Sequence, residues 1–362
     1  MGCCSAPHCQ ECRIQDAATS QASLPPFRLS PILRAPGPEE HHLPIAVVTV
    51  NWNGYRDTIE CLESLLSADP TPVAVVVVDN ASEDGSVEAI TQWAGARRIP
   101  YQTCDARNSP KLVSQSDNAP MLTILACSSN LGYAGGNNAG LRYLRSCDSI
   151  DHFLLLNNDA TVAPDFFSRV IGALGTFPDA GILTGTILES AHPNHVWYAG
   201  GRFLPWRALV VHLKEVPAAL EPIRTEFVSG CAMVISRRAL DEIGLLPECY
   251  FPLYMEDAEY SYRVLQRGFP VVYVPAAKVY HKVGGTVGHP SRSSWITECQ
   301  SRHRLFFVRR NLRGWQKVAA LMYMLVTKPA RALRETAAGR PAIGWATMRG
   351  TWQGLVSHAA RE

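Results

Sequence analysis

Short apolar runs alternate with stretches of helical periodicity through the first half of the chain. Residues 45–50 form a β-branched run, and residues 58–66 place apolar side chains at helical spacing. Residues 73–78 repeat the strand pattern and end in Asp79-Asn80-Ala81-Ser82, after which residues 86–93 read as a helix. A third strand at 121–126, a third helix at 134–144 and a fourth strand at 153–156 complete the series. Because the strands are continuously apolar, the pattern predicts an α/β fold whose mostly parallel sheet is covered by helices on both faces. Ligands on such sheets gather at the carboxyl ends of the strands. The polar residues sit at those ends: Asn51, Asp79, Asn130 and Asn157 to Asp159.

The pattern then changes. Residues 101–120 are polar and weakly patterned, which predicts a surface insertion. Beyond Asp159 come a helix at 165–174, a strand at 181–188, a loop rich in His, Pro and Trp, and strands at 227–235 and 271–274. From Ser293 onward the pattern is helical, with breaks expected near Pro329 and Pro341.

Composition narrows the class. A chain of 362 residues, 47% hydrophobic and 18% charged, is globular and long enough for one large α/β domain with appendages, or for two domains. Eleven cysteines in that length do not make a disulfide framework, and no apolar run reaches the length of a membrane span. The first forty residues hold no apolar core of signal-peptide length. These features predict an intracellular protein of the cytoplasm. Residues 1–43 read as a disordered leader: His8, Cys9 and Cys12 lack a second ligand pair for zinc, and Ala6 breaks a myristoylation motif.

Four segments carry candidate chemistry. Asp79 and Asn80 close a strand, where a carboxylate can accept the N3–H of a uracil or thymine ring; a turn and helix cap explains the same residues. The glycine-rich stretch from Asn130, through Gly132, Gly135, Gly136 and Asn137, allows close backbone approach to a ligand. The helix that follows would offer unpaired N–H groups to phosphate, with tight packing as the rival explanation. Asn157-Asn158-Asp159 has the position of a clip for Mg²⁺ or Mn²⁺, and His281 adds an imidazole acceptable to Mn²⁺. Asp257 precedes His281 by 24 positions, in a first helical turn with Glu256 and Glu259. Three acids exceed what a helix dipole needs, so one is expected to face the crevice as a base.

Together these segments resemble the inverting glycosyltransferases of family 2, in particular the bacterial rhamnosyltransferase-like branch. The matching stretches are Val47-Val-Thr-Val-Asn-Trp-Asn-Gly, Val77-Val-Asp-Asn-Ala-Ser-Glu-Asp-Gly-Ser, Asn130-Leu-Gly-Tyr-Ala-Gly-Gly-Asn-Asn and Leu156-Asn-Asn-Asp. They continue with Ser229-Gly-Cys-Ala-Met, Tyr254-Met-Glu-Asp-Ala-Glu and Gly268-Phe-Pro-Val-Val-Tyr-Val-Pro-Ala-Ala-Lys-Val-Tyr-His. The resemblance covers roughly residues 45–310. It implies a GT-A domain over 44–310, with a nucleotide-sugar half at about 44–160 and an acceptor half at about 161–310. It places the nucleobase near Asn51 and Asp79, and the diphosphate near Asn130 to Asn137, with Asn158 and Asp159 beside it. Asp257 matches the catalytic base, Glu256 and Tyr254 fall on the acceptor side, and His281 matches a third metal ligand. Asn157 departs from the relatives that carry two aspartates in the clip. The implied reaction moves a sugar, rhamnose from dTDP-rhamnose, to a glycan or polyprenyl-linked glycan acceptor.

From Ser301 to Gly350 there are eleven Arg or Lys and one acid, Glu335. The tail 311–362 therefore reads as a basic amphipathic extension that could lie on an anionic bilayer, at the inner face of the plasma membrane. Nucleic acid is disfavoured as a partner because aromatic stacking motifs are missing. Two other classes compete: a nucleotide-sugar-binding protein of the same fold without turnover, which Asn157 favours, and a nicotinamide oxidoreductase. The latter is disfavoured because the first strand leads to Asn51-Trp-Asn-Gly and not to G-x-G-x-x-G.

Overall fold

The computed structural model describes residues 45–107, 122–282 and 293–357. The leader and most of the polar segment 101–120 lie outside the described residues, so the readings made there have no structural counterpart. The described residues belong to one unit, Leu43–Glu362.

The amino-terminal part follows the apolar pattern closely. Strand β1 (Ile45–Asn51) leads to α1 (Tyr55–Leu66), β2 (Ala74–Asp79), α2 (Ser86–Ala96) and β3 (Tyr101–Asp105). Then come β4 (Leu122–Ala126), α3 (Gly132–Arg145) and β5 (His152–Leu156). Strands β3, β4, β2, β1 and β5 are neighbours in that order and pair in parallel. Ile45, Val47, Val75 and Val77 enter one core, while Ala46, Val48, Val76 and Val78 enter the other. Successive residues of a strand point to opposite faces, so an unbroken apolar run requires both faces to be covered.

β3 corrects one expectation. Tyr101 to Asp105 form an edge strand on β4 instead of a surface insertion. An edge strand with both faces exposed or half-exposed needs no apolar alternation, so the pattern could not reveal it.

After β5 come β6 (Ala160–Val162), α4 (Phe166–Thr176), β7 (Ile182–Glu189), β8 (His192–Tyr198), β9 (Gly201–Leu204), β10 (Leu209–His212) and β11 (Ile223–Arg224). The His-, Pro- and Trp-rich segment is therefore not a loop: β8 pairs antiparallel with β7, and β9 pairs with β10. Next are β12 (Ala232–Ser236), α5 (Arg237–Ile243), α6 (Glu256–Gln266) and β13 (Val271–His281). β12 runs antiparallel between β5 and β7, and β13 pairs in parallel with β7. One sheet therefore crosses from the first half of the chain to the second.

Helices α7 (Ser294–Asn311), α8 (Gly314–Ala337) and α9 (Pro341–Val356) complete the described chain. A third core joins Tyr250 and α7 residues Leu305, Phe306 and Phe307 to Ala320 and Met324 of α8. α8 runs through Pro329, where a break was expected. The carbonyl deprived of its donor is that of Leu325, which lies on an exposed turn where water can serve it. No helix among the described residues is long and apolar enough to cross a membrane.

The basic residues of the carboxyl-terminal region are largely used internally. Arg304 donates to the carbonyls of Arg207 and Ala208, and Arg309 donates to those of Gly354, Leu355 and Ser357. Arg310 pairs with buried Glu259 at 3.2 Å. Three of the cations that charge counting assigned to the basic region are therefore bonded within the protein, two to carbonyls and one to an acid, while Arg313, Arg334, Arg340 and Arg349 stay exposed.

Candidate functional site

The site forms where strand ends and helix starts meet. β6 pairs antiparallel with β13, with Ala160 opposite His281, so the residue before β6 falls beside the end of β13. Lys282 N–H donates to the Asp159 carbonyl at 3.0 Å, and His281 Nε2 lies 3.2 Å from Asp159 Oδ1. Asn157 Nδ2 lies 3.5 Å from the same imidazole nitrogen. Burial alone would lower the His281 imidazole, but Cys231 and Asp159 outweigh it and push it up to about 11. Both residues are buried, and the Asp159 Oδ1 that faces the imidazole has no other partner among the described residues.

That arrangement fits a divalent cation in part. A carboxylate, an imidazole and an amide oxygen, were Asn157 turned to present it, suit Mn²⁺ better than Mg²⁺. No three His, Cys, Asp or Glu side chains gather to hold an ion among the described residues. The remaining ligands would have to come from a bound phosphate or water.

Asp257 is held from two sides. Its Oδ2 accepts the Gly230 N–H at 3.0 Å and its Oδ1 accepts the Ala258 N–H at 2.7 Å. Burial raises its carboxyl above the usual range, and those backbone donors oppose the rise. Neighbouring Glu256 is pushed well above the usual range, first by burial and then by Asp257, and its Oε2 is buried without a hydrogen-bond partner among the described residues. Both carboxyls are raised by burial, and the Asp257 charge adds to the rise at Glu256, so the pair favours keeping a proton on Glu256 over Asp257. Glu259, the third acid of the turn, faces away from the cavity, where Arg310 and Asn311 meet it.

The loop before α6 is strained. Tyr254 and Met255 have φ values of 79° and 86°, the left-handed region that non-glycine residues rarely adopt. His303 of α7 braces this loop, its Nδ1 lying 3.0 Å from the Leu253 carbonyl and 3.1 Å from that of Tyr254. Two carbonyls facing one ring nitrogen require the N–H there. Burial holds the ring neutral, lowering it to about 4.

A cavity of about 770 Å³ connects these groups. Asn80, Asn130, Gly132, Asn137, Asn157, Asn158, Asp159, Tyr254, Glu256, Asp257 and His281 all line it. Four sequence-derived residues stand outside that lining: Asn51, Asp79, Gly135 and Gly136. Asn51 Nδ2 donates to Asp79 Oδ1 at 2.8 Å, Asp79 Oδ2 accepts the Ser82 N–H at 3.1 Å, and both residues are buried. Their polar atoms brace the strand ends under the cavity. A Cβ added at Gly136 would lie 2.8 Å from Val50 Cγ1, so this glycine serves close packing of α3 on β1.

The start of α3 also differs from expectation. Leu131 N–H donates to Asn80 Oδ1, Gly132 N–H to Asn130 Oδ1, and Tyr133 N–H to the Pro252 carbonyl, at 2.8 Å each. Those three N–H groups already have partners, and it is the Asn80–Asn130 pair that shapes this wall.

Several cavity residues were given no site role by the sequence, although Trp52, Tyr133 and Cys231 lie within the quoted stretches. Trp52, Trp197, Phe251 and Trp295 bring aromatic surface, and Tyr133, Cys231, Glu298 and Arg302 bring polar groups. Arg302 Nε is buried without a hydrogen-bond partner among the described residues, which leaves a cationic donor at the cavity wall. Arg302 and Trp295 come from α7, after the last quoted motif, which ends at His281. Cys231 lies in the quoted stretch Ser229-Gly-Cys-Ala-Met, which gave a position without a role.

Comparison with known proteins agrees with this architecture. An N-acetylglucosaminyl-diphospho-decaprenol L-rhamnosyltransferase of Mycobacterium tuberculosis is 24% identical over 297 residues, covering 76% of this chain and 86% of the relative. The low-salt glycan biosynthesis hexosyltransferase Agl10 of Haloferax volcanii is 24% identical over 221 residues, 60% of this chain and 61% of that one. Among solved structures, the mannosyltransferase PcManGT of Pyrobaculum calidifontis, in complex with GDP-Man and Mn²⁺, superposes with a TM-score of 0.52 at 17% identity. That match covers 86% of this chain and 87% of the other. GalNAc-T7 with UDP, GalNAc and Mn²⁺ gives 0.53 at 16% identity, over 74% of this chain, which spans about half (51%) of GalNAc-T7. Both likenesses show the GT-A type of fold. Residues 46–244 match the family described as Glycosyl transferase family 2, and residues 152–349 match Glycosyl transferase family group 2. The chain belongs to glycosyl transferase family 2.

Proposed function

We propose that the protein transfers a sugar, rhamnose from dTDP-rhamnose, to a lipid-linked glycan acceptor with inversion at the anomeric carbon, using Asp257 as general base. The observation that carries this reading is the convergence of Asp257, Asp159 and His281 on one cavity large enough for a nucleotide sugar. The choice of rhamnose and of a polyprenyl-linked acceptor is supported by the mycobacterial relative, an N-acetylglucosaminyl-diphospho-decaprenol L-rhamnosyltransferase.

In this reading the Asp257 carboxylate takes the proton from an acceptor hydroxyl, which attacks the anomeric carbon from the face opposite the diphosphate. The Gly230 and Ala258 N–H groups hold that carboxylate in place. Burial raises its basicity, which brings the base closer to working pH. Protonated Glu256 donates a hydrogen bond to a sugar or acceptor hydroxyl, and Tyr254 lies on the same acceptor side. Asn80, Asn130, Asn137 and Asn158 face the donor, with Arg302 available to its phosphates. Asp159 and His281, with Asn157, would hold a divalent cation, which when bound neutralises charge on the leaving diphosphate.

Asp257→Asn tests the assignment. Donor affinity, measured by calorimetry, should stay within about twofold, while transfer falls about 10²–10⁴-fold. Transfer at the wild-type rate would remove Asp257 from the role of base.

A further inference from the structure

We propose that the outward faces of α8 and α9 form a docking surface for an anionic bilayer, with apolar side chains entering the headgroup region. α8 is inside out for a helix in water. Its exposed stripe carries Trp315, Val318, Met322, Leu325, Val326 and Leu333, each 57–72% exposed. These positions recur at intervals of three and four and share one side of the helix. The face turned to the protein holds Ala320, Met324, Lys328, Ala332 and Glu335, so two charged side chains are buried while the large hydrophobes face outward. Lys328 is 3% exposed and donates to Ser301 Oγ at 3.0 Å.

α9 repeats the arrangement with Trp345, Met348, Trp352, Leu355 and Val356 exposed. The two stripes meet where α9 crosses α8: a Cβ at Gly344 would lie 2.7 Å from the Ala332 carbonyl oxygen, and Leu333 and Trp345 are the chain neighbours of the crossing residues. Monomeric proteins rarely leave such a surface to water, and tryptophans beside cations suit the headgroup layer.

Charge selects the occupant. Residues 312–357 contain a single acid, Glu335, which is buried and paired with Arg340 at 2.7 Å. Arg313, Arg334, Arg340 and Arg349 are exposed in the same region. Arg334 also meets Glu335 and Arg349 meets Glu298 of α7, yet cations outnumber acids along this edge, which complements an anionic headgroup layer. The same edge would place like charges against each other in a symmetric pair of chains. Since neither helix can span a bilayer, the two would lie along its surface. This differs from the charge-driven contact that the basic tail suggested: several of those cations face inward, and apolar insertion supplies the binding.

The surface also adjoins the cavity. A Cβ at Gly354 would lie 2.8 Å from the Arg302 carbonyl oxygen, so α9 rests against a turn of α7 that lines the cavity. Docking would thus bring the cavity near the membrane plane. The inference needs no assignment of base or donor, and its test reads binding separately from transfer.

The test uses the full chain and flotation with vesicles of phosphatidylcholine alone or mixed with phosphatidylglycerol. The triple variant Val326→Ser, Leu333→Ser, Trp352→Ser changes only exposed side chains. Wild type should float with the mixed vesicles and keep most of that binding at 0.5 M NaCl, roughly three times a usual ionic strength. The triple variant should bind about tenfold more weakly while its melting temperature and donor affinity match wild type. Wild type left in the soluble fraction, or equal flotation of the variant, would overturn the proposal. So would a concentration-dependent dimer that the same three substitutions dissociate without vesicle binding, since the face would then belong to a second copy.

Discussion

The parallel half of the sheet and the carboxyl-terminal helices treat hydrophobic residues in opposite ways. In β1 and β2, Val47, Val48, Val76 and Val77 are wholly buried, and the polar residues Asn51 and Asp79 stand at the strand ends. In α8, Leu325 and Leu333 are 67% and 72% exposed while Lys328 is 3% exposed. The first arrangement is what water demands of a folded chain. The second implies that α8 and α9 answer to a different surrounding. Burial in the sheet therefore measures stability, whereas exposure in the helices measures interaction.

The largest effect that separates the regions should come from overpacking the sheet. A Cβ at Gly140 of α3 would collide with the Val48 side chain and lie 3.2 Å from Val78 Cγ2. Gly140→Ala should lower unfolding stability by about 1–3 kcal/mol in urea titrations. No measurable loss would show that α3 and β1 are not held as rigidly as drawn.

A middle-sized effect belongs to His303, which joins the helices to the site. His303→Ala removes the donor shared by the Leu253 and Tyr254 carbonyls and should lower kcat about tenfold, with KM for the donor little changed. The ring also has a pH signature. Because burial lowers His303 and His212 to about 4, the unfolded chain binds more protons than the folded one between about pH 6.5 and 4. Stability from these neutral rings is fully present above about 6.5 and is lost as pH falls toward 4. Glu256 and Asp257, whose carboxyls are raised, act in the opposite sense, so the signature is the difference: relative to wild type, His303→Ala should gain melting temperature as pH falls from about 6.5 to 4.

The smallest effect is expected on the exposed stripe itself. Leu333→Ser should change unfolding stability by no more than about 0.5 kcal/mol, because its side chain is already in water. A loss above about 2 kcal/mol would mean that Leu333 is packed, and would erase the contrast between the regions.

Local pattern carried much of the first half. The strands at 45–50, 73–78 and 153–156 were legible because a strand buried on both faces must be apolar at every position. Asp257, Asp159 and His281 were recognisable from ordered motifs, but a motif has no distance in it. The pairing of β6 with β13 brings Asp159 and His281 together. Glu259 and Glu256 look alike in sequence, yet one meets Arg310 and the other borders the cavity.

The amino-acid sequence by itself determined the α/β class, the strand-end position of the polar residues and the family. Those rest on periodicity and short-range order, which a linear chain displays. Tertiary structure alone decided that Asn51 and Asp79 bond to each other beneath the cavity, that α7 adds Arg302 and Trp295 to its wall, and that α8 buries Lys328 and Glu335. Each of these depends on which partner arrives from a distant part of the chain. Burial and pairing are properties of the packed whole, so no local spacing could have specified them.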